Sequence, residues 1–467
     1  MPRMAGATHS LSLHSHARSG SEGDGASLES GDSLPAEDRD LLLRLQRQAL
    51  QYFLDNQMPN GLMLDRQHNH GPRRAHGLCS MTATGMGFIG LALASTPPYC
   101  LISTKEAATR IGAGLRNVLE QLPHDQGVIP HFVDSATGEI LGVDYFSTVE
   151  TAWLAAGALW AGSFLQDSEL ESLAVRFYRR INWCCWTGEA ESTGREARSA
   201  EDSVARSALL RHGKSRDGQF LYHCWDRLNG ETAFMYLLAA GADDGQAVST
   251  ECWTRMEPCY GTVAGLRFNN ADLGLFVFQY GLDLLDLRQW RAPGTVDLLH
   301  DARLATLANV RACRESATSF TTYRHYWGLS AGDGPGEPPE TDIYRCYSPA
   351  GPVDGTAHIT ATLASVAHDP HAVLENLRQA ERAGPPARGR YGFSNINVDR
   401  NWIGRDMVGI DAGAAILALD NYLAGNRVRA IFHALPCVER GLNRLGFSRT
   451  TSKIASGTAI EPVRKAS

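Results

Sequence analysis

Along most of this chain the apolar positions recur at helical spacing, and they form two kinds of segment. In the first kind the apolar residues make a stripe: Asp40 to Phe53 carries Leu42, Leu45, Ala49, Tyr52 and Phe53 on one side, and Thr104 to Leu122 is amphipathic too. In the second kind, as in Met81 to Leu93, small and apolar residues run all the way round. The same period predicts helices over Thr148 to Phe164, Leu170 to Trp186, Glu231 to Ala240, Ala271 to Arg288, Leu298 to Arg314, Ala357 to His368, Pro370 to Ala383, Ala412 to Leu423 and Val428 to Leu445. About twelve helices with few strand alternations predict an all-α fold. Helices that are apolar all round beside helices that are apolar on one face suit two concentric rings, the inner one buried on most sides.

Residues 1–38 break this pattern: eight serines and several glycines surround few large apolar residues, which predicts a disordered arm. The polar stretch from Thr187 to Arg206, with five acids and three arginines, reads as a solvated loop or short surface helix, and residues 451–467 as a flexible tail. No Pro/Gly/Ser linker divides residues 39–450, so they are expected to fold as one domain. A net charge of -7 and the lack of a Lys/Arg cluster interleaved with aromatics argue against a nucleic-acid footprint. No stretch approaches the roughly 20 apolar residues of a membrane span, and no apolar run follows a basic start as in a general secretory signal. Location stays open between the cytoplasm and an export route that reads the polar N-terminus. Ten cysteines occur without a CxxC, and no HExxH is present, so neither a metal nor another cofactor is expected.

The candidate chemistry begins at Trp225 to Gly241, where a lone carboxylate, Glu231, opens an otherwise uncharged helix. Two readings fit: an acid favoured by the helix dipole at a helix start, or a catalytic acid. Asp411 allows the same pair, as an N-cap of the following helix or as a catalytic partner. Trp225, Tyr326, Trp327, Tyr391 and Trp402 fall in predicted loops or helix starts, where a ring face can stack on a pyranose or pack in a core. Asp333, between glycines, fits either a turn or a bond to sugar hydroxyls.

The order of motifs resembles the glycoamylase-like glycoside hydrolases, the group that includes bacterial endo-β-1,2-glucanases and the transglycosylase part of cyclic β-1,2-glucan synthases. The matching stretches include Gly61 to Arg66, Ser80 to Phe88, Phe132-Val133-Asp134, Ser147-Thr148, the Glu231 segment, Phe276 to Arg288, Tyr326 to Pro335, Asp354-Gly355-Thr356, Tyr391-Gly392-Phe393 and Gly409-Ile410-Asp411. The resemblance spans about residues 42–448 and implies an (α/α)6 barrel, in agreement with the helix count. It implies Glu231 as general acid and Asp411 as base or hydroxyl-orienting partner, with Glu150 as a third catalytic carboxylate in a place where the family usually has Asp. Asp65, Arg66, Asp144, Trp225, Gln279, Tyr280, Tyr326, Trp327, Asp333, Tyr391 and Trp402 are the expected sugar contacts.

Four departures cut the other way, Glu150 among them. Tyr145 replaces an acid of the family pattern, with Asp144 one place earlier, and Phe278 and Leu282 stand where the family has histidines. Two functions follow: a glycoside hydrolase or transglycosylase acting on a β-glucan, with the resemblance implying a β-1,2 linkage, or a carbohydrate-binding pseudoenzyme that keeps the cleft without full catalysis. Either way the partner is an oligosaccharide or polysaccharide.

Overall fold

The computed structural model describes residues 31, 34–188, 208–337, 342–383 and 387–450. Six segments form a closed inner ring: Met81–Ala94 packs on Thr148–Leu165, then come Gly230–Ala240, the turns at Leu275–Phe278 and Gly281–Asp283, Ile359–Leu363, and Gly409–Leu423, which returns to Met81–Ala94. Every residue of Met81–Ala94 is buried, which explains why its sequence has no polar face. The outer ring is amphipathic, as in Ser168–Arg180, where Leu170, Leu173, Ala174, Phe177 and Tyr178 face inward and the rest meets solvent. Ala36–Asn56, Thr104–Glu120, Leu298–Glu315 and Pro370–Ala383 complete most of that ring. Its gap beside Gly230–Ala240 is filled from the far end of the chain by Pro436–Leu445. The expected (α/α)6 barrel is therefore present.

Inner helices meet backbone to backbone. A Cβ on Gly157 would stand 1.9 Å from the Gly85 carbonyl oxygen, so neither helix tolerates a side chain at the crossing. Gly281 makes a similar approach to Gly230, where a Cβ would lie 1.8 Å from the carbonyl oxygen. This contact seats the Tyr280 turn beside the start of the Glu231 helix.

Four predicted helices need correction. Ala271 to Arg288 is two 3-10 turns instead of one helix, because Leu275 donates its amide to Leu329 and Phe276 donates to the Ser330 hydroxyl. Ala357 to His368 keeps regular helix only over Ile359–Leu363, then continues in turns. Leu170 to Trp186 stops at Arg180 and resumes as a 3-10 turn at Trp183–Trp186. Val428 to Leu445 divides into Arg427–His433 and Pro436–Leu445, since Pro436 is suited to a first turn and not to a helix interior. Short strands, which the sequence pattern hardly showed, gather where inner helices begin. The antiparallel sheet Leu78–Ser80, Pro130–Asp134, Ile140–Ser147, Gly213–Lys214 leads straight into Met81 and Thr148, and Arg66–His68 pairs with Asp406–Val408 just before Gly409.

The boundary expected at residue 39 falls inside Ala36–Asn56. Asp38 is buried there and accepts a 2.9 Å bond from Arg378 Nε, with a second bond from Nη2. Asp38→Ala should cost roughly 1–2 kcal/mol, since it strands a half-exposed guanidinium. Removing residues 1–30 should leave Tm unchanged because they bring few apolar groups. Thermal melts of the two variants check both outcomes. Most of the Thr187 to Arg206 insertion and all of the tail after 450 lie outside the described residues. Among the described residues no helix is long and apolar enough to cross a membrane, and no two of the ten cysteines are joined in a disulfide.

Candidate active site

The carboxylates singled out in the sequence converge on the end of the barrel where the inner helices start. Glu231 is not the cap of its helix: Asn229 accepts from the Thr232 amide at 2.9 Å, and the Thr232 hydroxyl accepts from the Asn229 amide at 3.0 Å, completing a capping box. The Glu231 carboxylate is left to accept a 3.1 Å bond from Trp153 Nε1 on the neighbouring inner helix. Burial pushes its pKa up to about 7; the Trp153 bond opposes the rise and the Glu150 charge adds to it. A carboxyl held near neutrality can be a proton donor at physiological pH.

Asp411 likewise does not cap its helix, which begins at Gly409 with Val408 at the cap. It accepts a 3.1 Å bond from the Tyr280 hydroxyl. Burial lifts its pKa to about 7 against that bond, with Asp333 adding to the rise. The Tyr280 ring stands edge-on to Trp153 at 6.4 Å, so Glu231, Trp153, Tyr280 and Asp411 form one continuous wall. Beside Asp411, Arg66 bonds Asp65 at 3.0 Å and both Asp333 oxygens at 3.0 Å, and lies 5.7 Å over the Tyr344 ring. On the other flank Glu150 accepts from the Thr82 amide at 2.6 Å and pairs with His131 Nε2 at 3.1 Å, while His131 Nδ1 meets Asp144 at 2.6 Å. Trp225 is half-buried, donates to Thr148 at 3.0 Å and stacks on His212 at 3.8 Å.

Four expected sugar contacts are built into the packing. Gln279 is 1% exposed and donates to the Ala361 carbonyl and the Ser365 hydroxyl. Trp327 is buried with its indole N–H on the Ala372 carbonyl. Tyr391 is edge-on to Tyr52, with its hydroxyl on Asp55, and Tyr326 is buried. Gln279, Trp327 and Tyr391 thus have their polar groups engaged by the protein. Trp402 is half-buried and donates to Asp342, the first residue of the strand that pairs with Ala331–Pro335. Phe278 and Leu282 also lie in the core, Phe278 edge-on to Phe268 and Leu282 against Gly230.

Sequence reading passed over three residues. Trp153 lies one turn beyond Glu150 on an apolar helix and looks like core. His131 reads as a structural histidine. Tyr344 is brought over Arg66 only by the pairing of Tyr344 with Asp333 across the hairpin.

Residues 222–436 match the family described as "Putative glucoamylase". Among solved structures, a "putative glucoamylase" from Bacteroides uniformis superposes with a TM-score of 0.75 at 21% identity, covering 89% of this chain and 99% of that one. An endo-β-1,2-glucanase from Chitinophaga pinensis, in complex with sophorotriose and glucose, superposes at 0.74 with 19% identity, covering 89% and 99%. The endo-β-1,2-glucanase of Talaromyces funiculosus, in complex with sophorose, gives 0.57 at 10% identity over 88% and 90%. At such identities the likeness is one of fold. No curated protein sequence matches the chain.

Proposed function

On a chain that resembles the glycoamylase-like glycoside hydrolases in sequence over residues 222–436 and in fold over the barrel, we propose hydrolysis or transglycosylation of a β-1,2-linked glucan, with Glu231 as general acid. One observation carries the reading: the Asn229/Thr232 box relieves Glu231 of capping, and burial holds its proton near neutral pH. Glycoside cleavage needs such a donor on the leaving oxygen and a second carboxylate to serve water or carbon. Asp411, steadied by Tyr280, fills the second role. Asp65, Arg66, Asp333, Tyr344 and Trp225 supply the polar and aromatic surface for the sugar. Binding residues on both sides of the acid suit a chain of several glucose units.

Reducing-end release from linear and cyclic β-1,2-glucan, with β-1,3- and β-1,4-glucans beside them, tests this directly. Cleavage confined to the β-1,2 substrates is the expected result. Binding without release on every glucan would favour the pseudoenzyme. The activity should also follow a bell in pH. Glu231 must keep its proton, so rate is lost as pH rises through about 7. Asp411 must lose its proton, so rate is lost as pH falls through about 7. A kcat/KM profile with both limbs near neutrality is expected; a profile flat from pH 5 to 9 would remove both assignments.

A further inference from the structure

His131 lies between two carboxylates, an arrangement that the roles of Glu231 and Asp411 do not explain. Its Nδ1 is 2.6 Å from Asp144 Oδ2 and its Nε2 is 3.1 Å from Glu150 Oε1. The ring lies flat on Phe132 at 3.8 Å, which fixes its plane. The other Glu150 oxygen is taken by the Thr82 amide at 2.6 Å, and Glu150 is 7% exposed. Both oxygens of this carboxylate are thus engaged by the protein. A carboxylate so bound is poorly placed to attack carbon or to take a proton from water, which sets Glu150 apart from the catalytic role its place in the sequence implies.

We propose that His131 is a positioning residue: as an imidazolium clamped by Asp144 it holds Glu150 as a fixed anion, one helix turn from the Trp153 that bonds Glu231, and that anion adds to the hold of burial on the Glu231 proton. The inference rests on Glu231 being the general acid. The sequence departure at Tyr145 gains a meaning here, because the acid displaced to Asp144 is the group that grips His131. The longer side chain of Glu150 reaches His131 and the Thr82 amide at once. The charges that face this cluster are Asp144 and Glu150, with Asp65 more distant and Glu231 beyond; Thr82 and Trp153 contribute dipoles only. Burial raises the Glu150 pKa, and the His131 charge first, then the Thr82 bonds, oppose that rise and favour its ionised form. Burial alone would depress the imidazole, yet Glu150 and then Asp144 carry it to about 9, and Glu150 adds to the rise at Glu231.

The test is a pH titration of the full chain by NMR, with 15N-histidine and 13Cδ-glutamate labels, in wild type and Glu150→Gln. His131→Gln and Glu231→Gln serve to assign the two signals. Wild-type His131 should stay protonated through pH 8. In Glu150→Gln its midpoint should fall by about one pH unit or more, and that of the Glu231 carboxyl by about half a unit or more. An imidazole already neutral at pH 7 in wild type would overturn the clamp, and an unmoved Glu231 midpoint would overturn the link to the acid. On an active enzyme the alkaline limb of kcat/KM should move to lower pH with the Glu231 midpoint, whereas a mere packing defect would lower kcat without moving the limb. A wild type that cleaves no glucan defeats the proposed function, while the two titrations still decide the clamp.

Discussion

Glu231→Gln should lower turnover of β-1,2-glucan by about 100-fold or more, because it keeps the size of the side chain and removes the proton that the leaving oxygen needs. The amide can still meet Trp153, so the barrel should fold as before. The stability change separates this reading from a structural one. A carboxyl whose folded pKa is raised to about 7 is held protonated by the native state, whereas the unfolded chain releases that proton near pH 4. Its contribution is thus most favourable below the unfolded value and is lost as pH rises through the folded one. At pH 8 the wild type carries an ionised, half-buried acid, and the neutral amide removes that cost. Tm of Glu231→Gln should therefore hold or rise at pH 8 while activity collapses. A lower Tm with turnover intact would mean a helix-stabilising acid and no catalytic one. Asp411→Asn should match the loss of activity, and the double variant should be little worse than either if the two carboxylates serve one displacement.

Gly157→Ala should destabilise the barrel by roughly 3 kcal/mol, although alanine in an ordinary helix interior is favoured over glycine by about 1 kcal/mol. The inversion of sign is the point. At 1.9 Å from the Gly85 carbonyl oxygen a methyl group has no space, and the obstacle is backbone, which cannot rotate away. The two helices must part, and the helix that moves carries Glu150 and Trp153 in its first two turns. A fall in Tm, with activity of the surviving protein reduced through the misplaced Trp153, is the expected result of paired melting and rate measurements. A higher Tm would show that the inner ring has slack at this crossing.

Local pattern alone determined the two rings, since the number of faces a helix must bury is written in its own residues: all of them in Met81–Ala94, one stripe in Ser168–Arg180. The start of the Glu231 helix was legible in the same way, but not that Asn229 caps it and leaves Glu231 free of that task. The segment at 271–288 was not, because its apolar run fits a helix by itself, and only the claims of Leu329, Ser330 and Gly230 on its backbone break it into turns. Nor could spacing say which aromatics and amides are taken up by the packing. Gln279 and Tyr280 are neighbours in sequence, yet one is committed to Ala361 and the other to Asp411, 131 residues away. The carboxylates were visible as residue types, but their surroundings were decided by partners from other segments: Trp153 for Glu231, Tyr280 for Asp411, and His131 with Thr82 for Glu150. Periodicity reports how much of a side chain is covered, whereas proton affinity depends on which group covers it, and that is settled only when distant segments meet.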